Sequence, residues 1–263
     1  FYQVSPNTRE LYQWMGRLDY RLNDRHAFFG RYGETNMNRC CDRSFPDGSP
    51  AESSTIIPRG RRGRTLTIDW SAVLTPTTTF NLRAGFSRLE NLSGNPQTLA
   101  YSPTELGMSS SVVSQFARAQ YPVITAGTYK GQGSQPSSTG DDTYTLGATL
   151  GKVIGSHTLR TGLEIREYRA TSLAFGAASG AYAFTKLWSQ NDPNRTDAYS
   201  GNEIASLLLG FPTSASVTIP ITPAYSGRYY STYLQDDWKI TRKLTLNLGL
   251  RWDYETPVVE RYN

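Results

Sequence analysis

From Leu244 to Glu255 apolar side chains fill every second position: Leu244, Leu246, Leu248, Leu250, Trp252 and Tyr254 alternate with Thr245, Asn247, Gly249, Arg251, Asp253 and Glu255. Successive side chains of a β-strand point to opposite faces, so this segment carries one apolar and one polar face. It is longer than the ~5–6 residues of an ordinary soluble strand and reaches the ~9–11 that cross a bilayer when tilted. The period recurs. Leu66, Ile68 and Trp70 alternate with Thr67 and Asp69, Phe80 and Leu82 with Asn81 and Arg83, and Tyr144, Leu146 and Leu150 with Thr145 and Thr149. Weaker versions cover His26 to Glu34, Thr158 to Arg166 and Tyr229 to Ile240. The pattern predicts eight antiparallel strands in four hairpins, at about 11–34, 64–90, 143–168 and 229–255.

Each hairpin closes through a short turn, whereas long polar stretches rich in Gly, Pro and Ser separate one hairpin from the next, at about 35–63, 91–141 and 169–227. Compact soluble domains rarely hold several loops beyond ~15 residues, but a transmembrane β-barrel combines short periplasmic turns with long extracellular loops. Tyr20, Trp70, Phe80 and Trp238 fall near the turns, and Tyr12, Trp14, Phe86 and Tyr254 near the opposite strand ends, as two aromatic girdles require. The fold class expected is all-β, an antiparallel transmembrane β-barrel segment. Leu66, Ile68, Leu82, Leu146, Leu246, Leu248 and Leu250 then face lipid, and Asp236 falls on that same phase, where charge is tolerated only near an interface.

Composition taken alone runs against a membrane protein. Only 38% of the 263 residues are hydrophobic, and no run approaches the ~18 apolar residues of a membrane helix. A barrel removes the difficulty, because half of each strand faces water. The 12% aromatic content excludes simple disorder. A soluble β-sandwich remains as a competing class, weakened by strand length and loop asymmetry. Phe1 to Glu10 lacks a basic start and an apolar centre, so no secretory signal is expected there, and an exported chain would be mature or a fragment. Cys40 and Cys41 are adjacent and cannot staple distant segments.

The local wording is also informative. Tyr233-Leu234-Gln235-Asp236-Asp237-Trp238-Lys239-Ile240-Thr241, followed by Leu244 to Trp252, resembles a hairpin of TonB-dependent outer-membrane receptors, in particular their Oar-like group. Asn202 to Pro212 resembles the short loop segment that group often carries before this hairpin, and His157 to Glu164 a common outer-membrane return strand. Such receptors have a 22-stranded barrel, an N-terminal plug and a segment that contacts TonB. The resemblance implies a barrel-wall fragment without a plug domain. Its partners would be outer-membrane lipid and lipopolysaccharide, the plug and remaining strands, the TonB complex and a ligand of unknown identity. It also implies localisation in the outer membrane of a Gram-negative-type cell. A closed eight-stranded barrel is the alternative architecture. Pro257 to Asn263 reads as the start of another long loop.

The polar phase carries both signs: Arg17, Asp19, Asp69, Arg83, Arg160, Glu164, Asp237, Arg251 and Asp253 are expected to face the lumen, as are Arg21, Arg166 and Glu255. They would contact a plug, line a transport path, or pair across strands on a wet wall. Asp236 and Asp237 are adjacent and point to opposite faces, so they form no acid–base pair. His26 and His157 open return strands beside turns, a position that a polar interfacial role explains. No catalytic, cofactor or metal site is expected. Asp141-Asp142 and Asp192 to Asp197 suit solvated loops better than calcium sites.

The sharpest charge feature is Arg59-Gly60-Arg61-Arg62-Gly63-Arg64, just ahead of a strand on the long-loop side. There its guanidinium groups would meet lipopolysaccharide phosphates or simply be solvated, and no nucleic-acid fold surrounds them to favour that partner. Ala181 to Trp188 reads as an extension of the barrel wall or a ligand-stacking segment, and Gly201 to Gly210 as a short helix on the spacing of Ile204, Leu207 and Leu208. The function expected is the barrel wall of a TonB-dependent transport receptor that takes up a scarce ligand. The alternative is a non-transporting barrel that displays adhesive or structural loops.

Overall fold

A computed structural model describes residues 8–40, 49–52, 59–129, 131–192, 194–195 and 199–262. The chain opens with strands β1 (Thr8–Asn23), β2 (His26–Cys40), β3 (Arg59–Thr75) and β4 (Thr78–Ser93). Two short helices, α1 (Pro96–Ala100) and α2 (Ser110–Val113), and strand β5 (Val123–Ala126) precede the long hairpin β6 (Ser137–Ile154) and β7 (His157–Ala174). Strand β8 (Ala181–Phe184), helix α3 (Glu203–Leu208) and β9 (Ser214–Ser216) lead to β10 (Ala224–Lys239), β11 (Thr245–Glu255) and the short β12 (Val259–Glu260).

The eight long strands form one open antiparallel sheet in the order β1-β2-β3-β4-β6-β7-β10-β11, the wall, with β1 and β11 at its edges. It does not close on itself. The turns are tight. Asn23 accepts backbone N–H bonds from Arg25 and His26, both at 2.9 Å, and Gly155 supplies a left-handed residue (φ +57°) between β6 and β7.

The strands run farther toward the loop side than the alternation predicts. Residues 59–63 belong to β3 and 137–142 to β6, so Asp141 and Asp142 sit on a strand rather than in a loop. Above the apolar stretch the outward positions become polar, so the hydrophobic period disappears while the hydrogen-bonded ladder continues. Val259–Glu260 pairs with Tyr225 and Ser226 of β10, so the chain beyond Pro257 returns to the sheet instead of leaving as a loop.

A second, three-stranded sheet, β5-β8-β9, stands apart from the wall. Ala181–Phe184 lies in it, which corrects the reading of that segment as a wall extension. The expected helix forms at Glu203–Leu208, capped by the Asn202 side chain accepting from Ile204 N at 2.8 Å. Its buried residue is Ser206, while Leu208 is 82% exposed, so the apolar spacing does not mark its inner face. Cys41 and Asp197 lie outside the described residues.

Candidate functional site

The register sorts side chains onto two continuous faces. On one, the row Leu18-Gly30-Ile68-Ala84-Leu146-Ile165-Tyr230-Tyr254 crosses all eight long strands, and the next is Tyr20-Phe28-Trp70-Leu82-Ala148-Leu163-Thr232-Trp252. Leu66, Phe80, Trp238, Leu246, Leu248 and Leu250 share this face. Large apolar groups here stand open, with Leu18 at 75% and Leu250 at 77% exposure. In water a surface of this extent would associate or aggregate.

Aromatic contacts flank it. Near the turns Trp70 stacks on Phe28 at 6.1 Å and meets Phe80 edge-on at 5.4 Å. Toward the loops Trp14 contacts Tyr32 and Phe86 contacts Tyr144, both at 5.1 Å. Asp236, a charge on the turn side of this face, lies 2.6 Å from His157 Nδ1, and His157 stacks on Trp238 at 5.2 Å. The aspartate is therefore partnered beside a turn, as an interfacial charge must be.

The opposite face is built for water. One row runs Asp19-Phe29-Asp69-Arg83-Gly147-Glu164-Ser231-Asp253 across the same strands. Each of its four carboxylates is paired. Arg17 grips Asp19 at 2.6–3.1 Å, Arg83 reaches Asp69 at 2.9 Å, Arg166 binds Glu164, and Arg251 binds Asp253 at 2.9 Å. Three of these pairs join residues two apart on one strand, which the pleat places on the same side. Asp69 is the most enclosed, 2% exposed, and also accepts from Asn81 at 2.8 Å and from Ser71 at 3.1 Å. Tyr229 bridges the end of the row, donating to Asp253 and accepting from Arg251 Nη2 at 3.0 Å.

Glycine shapes the surface between these pairs. A recess of about 420 Å³ is lined by Arg83, Gly147, Glu164, Ser231, Tyr233 and Arg251, among others. The Tyr233 ring crowds Gly162, where an added Cβ would come within 2.3 Å of it. The sequence-predicted charges Asp19, Asp69, Arg83, Glu164 and Asp253 thus share one row, with Arg17 and Arg251 beside it. Arg160 and Asp237 share that face but lie toward the turns, opposite Gln235 and Thr158 respectively. Arg166 belongs to the row as a partner; Tyr229, Tyr233 and Asn81 are added by the structure, and although Asn81 falls on the polar phase of its strand, no charge singles out any of the three in sequence. No metal-type cluster occurs among the described residues.

The arginine cluster divides. It lies within β3 rather than ahead of it, and alternation sends Arg62 and Arg64 to the apolar-row face but Arg61 to the charged-row face. Arg59 pairs with Arg39 on the phase of Arg61, and its side chain lies outside the described residues. A four-arginine patch on one surface is therefore not formed, since Arg62 and Arg64 stand on one face and Arg61 on the other. In the loops, burial raises the Tyr121 phenol above its ordinary range, and its hydroxyl donates to Gln132 Oε1 at 3.0 Å.

An antiparallel wall with an aromatic-edged apolar face on one side and a charge-paired polar face on the other is the wall of an outer-membrane β-barrel. The chain belongs to the family described as outer membrane beta barrel domain, which matches residues 1–263. No curated protein matches it. Among solved structures it resembles the outer membrane transporter YddB from Escherichia coli, with a TM-score of 0.54 and 12% identity over 93% of this chain and 27% of that one. It also resembles P. aeruginosa FpvA, solved with bound pyoverdine, with a TM-score of 0.51 and 12% identity over 96% of this chain and 32% of that one. At this identity the likeness is one of fold, and the chain spans about a third or less of each structure's length. Its place is the outer membrane.

Proposed function

We propose that this chain is the barrel-wall portion of a TonB-dependent transport receptor, with its apolar face toward lipid and its charge-paired row toward a water-filled, plugged lumen. The observation that carries the reading is the inward row itself. Its carboxylates are each held by an arginine, so the face is polar and close to neutral, suited to a plug surface or a passing solute rather than to one tightly bound ion. The resemblance to a transporter and to a pyoverdine-bound receptor supports uptake of a scarce ligand of that kind. The open edges of β1 and β11 suit a wall completed by further strands.

A second reading is favoured by the loops, which carry their own folded sheet: a barrel that displays loops for adhesion. The two separate in a planar bilayer holding the full-length protein. A plugged wide lumen should be silent in buffer and conduct strongly once moderate urea unfolds the plug while the barrel persists. Silence in both conditions, with the barrel shown to be folded, would overturn the transport reading.

A further inference from the structure

The polar face is not uniform along the sheet. Tyr225, Tyr229 and Tyr233 recur at every fourth residue of β10 on the phase of the charged row, and Tyr168 of β7 joins them there, opposite Gly227. At ~3.3 Å per residue the β10 tyrosines stand about 13 Å apart, with Tyr168 level with the middle of the upper interval. Ile221, 65% exposed, lies opposite Ala174 in the register that pairs Ala224 with Thr171, and so extends this line toward the loops. The ladder descends from the loop side to the recess, which Tyr233 lines.

Paired charges of both signs bracket its lower rungs. Arg166, bound to Glu164, lies 5.3 Å from the centre of the Tyr229 ring, and its Nη1 is 3.5 Å from the Tyr168 hydroxyl. The Tyr229 hydroxyl joins Arg251 and Asp253. Tyr233 is held against Gly162 and shares the recess with Arg83, Glu164, Ser231 and Arg251. This surroundings chemistry is selective. An anion would engage the guanidinium groups but meet the carboxylates beside them, and a hydrocarbon would strip water from both without replacing its hydrogen bonds. A hydroxyl donates to a carboxylate and accepts from a guanidinium, so a neutral polyol is served by either member of each pair. Aromatic rings at repeated intervals suit a ligand with repeated apolar faces, which the C–H faces of linked sugar rings supply. Several modest sites in line also let such a chain advance without being trapped at one.

We propose that Ile221, Tyr225, Tyr168, Tyr229 and Tyr233 form a track for a linear, neutral oligosaccharide. Its ring faces stack on the tyrosines, its hydroxyls bond the Arg166–Glu164 and Arg251–Asp253 pairs, and the recess seats the leading ring. The track rests on the transport reading and draws the ligand class from the wall's own side chains. It serves passage once the plug has moved, rather than first capture at the loops.

The test uses the full-length protein in a planar bilayer, its lumen opened by moderate urea, with maltohexaose as the probe. The wild-type current should show interruptions that depend on the sugar. The combined Tyr225→Ala and Tyr233→Ala variant should shorten them ~10-fold, and the corresponding phenylalanine pair should keep them, because the ring rather than the hydroxyl stacks. Tyr229 is left intact, since it bridges Arg251 and Asp253. Tyr230→Ala, on the apolar-row phase of the same strand, should leave the interruptions unchanged. If the alanine pair fails to give a folded, heat-modifiable barrel, the leucine pair replaces it; leucine keeps apolar bulk without a flat face, and the same loss is expected. An open channel that maltohexaose never interrupts, or paired variants interrupted like the wild type, would overturn the track and leave the transport reading standing. Variants that open at lower urea yet keep wild-type interruptions would make the tyrosines a seat for the plug, which overturns the track as well. A folded barrel that stays silent in urea overturns the transport reading, and the track falls with it.

Discussion

The wall and the loop assembly obey different solvents. In the wall, large apolar side chains such as Leu18, Ile68, Leu234 and Leu250 are left open, and the buried positions are few and mostly small or charged: Ala72, Asp69, Ser231, Ala224 and Glu34. Order there comes from the backbone ladder and from the ion pairs of the polar face, not from an interior core. The loop assembly around β5, β8 and β9 has a small interior of the aqueous kind, with Tyr121, Ala126, Ala177, Ala178 and Phe184 buried beside fully enclosed polar groups. Thr98 bonds Ser134 at 2.9 Å and the Pro50 carbonyl at 3.1 Å, and Gln120 donates its backbone N–H to Ser179 Oγ at 2.8 Å and its side-chain amide to the Gly176 carbonyl at 2.7 Å. The wall pairs its charges on one face and leaves its apolar side chains open on the other; the loops fold against themselves.

The sharpest break of this contrast is an outward charge. Leu248 looks like the mid-span choice from sequence, yet the register sets Asp236 directly opposite it, so an arginine there would find a partner. Leu250 lies opposite Leu234, both open on the apolar face. Leu250→Arg should therefore cost about 2–4 kcal/mol in a bilayer, whereas Asn247→Arg, opposite Asp237 on the polar face, should cost less than about 1 kcal/mol. Chemical denaturation of the full-length protein in lipid vesicles measures both, and equal losses would mean that the faces are wrongly assigned.

Two loop substitutions should act locally instead. Gly133 has φ +82°, and a Cβ there would come within 2.2 Å of the Pro122 carbonyl oxygen. Gly133→Ala should destabilise the loop assembly by about 3 kcal/mol while leaving the barrel intact. Ser179→Ala is milder. Ser179 Oγ accepts from Gln120 N and donates to the Arg118 carbonyl at 3.0 Å, so its loss should cost about 1–2 kcal/mol. Limited proteolysis of loops, read beside the heat-modifiable migration of the barrel, separates local from global loss. A Ser179→Ala protein with loops as resistant as the wild type would show that the enclosed polar network does not hold them.

The legibility of each region follows the same division. Period-two alternation exposed the wall because its two faces meet two solvents, and it placed Leu66 to Leu250 and Asp19 to Asp253 on opposite sides before any register was known. It stopped on the loop side, where many positions of the apolar phase turn polar: Glu34, Arg64, Arg88, Asp142 and Arg169 become neighbours only through the register between strands. The arginine run stood out as a charge cluster, yet strand pleat, invisible to charge counting, divides it. The loops were least readable, because Ser206, Thr98 and Gln120 are buried by hydrogen bonding and no hydrophobic period announces that.

The smallest expected effect lies in the loop interior at alkaline pH. Burial disfavours the Tyr121 phenolate, so the folded-state pKa is raised above the unfolded value. The folded loops then hold this proton where the unfolded chain has lost it, and stability falls as pH rises through and beyond the unfolded phenol's value. The contribution is fully present below about pH 10 and fades above it. Tyr121→Phe removes the titration at the price of the 3.0 Å bond to Gln132. It should therefore lower loop stability slightly at neutral pH, by about 1 kcal/mol, yet flatten its decline on the alkaline side. Protease resistance of the loops across that range, compared with the wild type, reads the difference. Parallel alkaline curves for the two proteins would mean that Tyr121 is not sequestered from water, and the loop assembly would then lack the closed interior that distinguishes it from the wall.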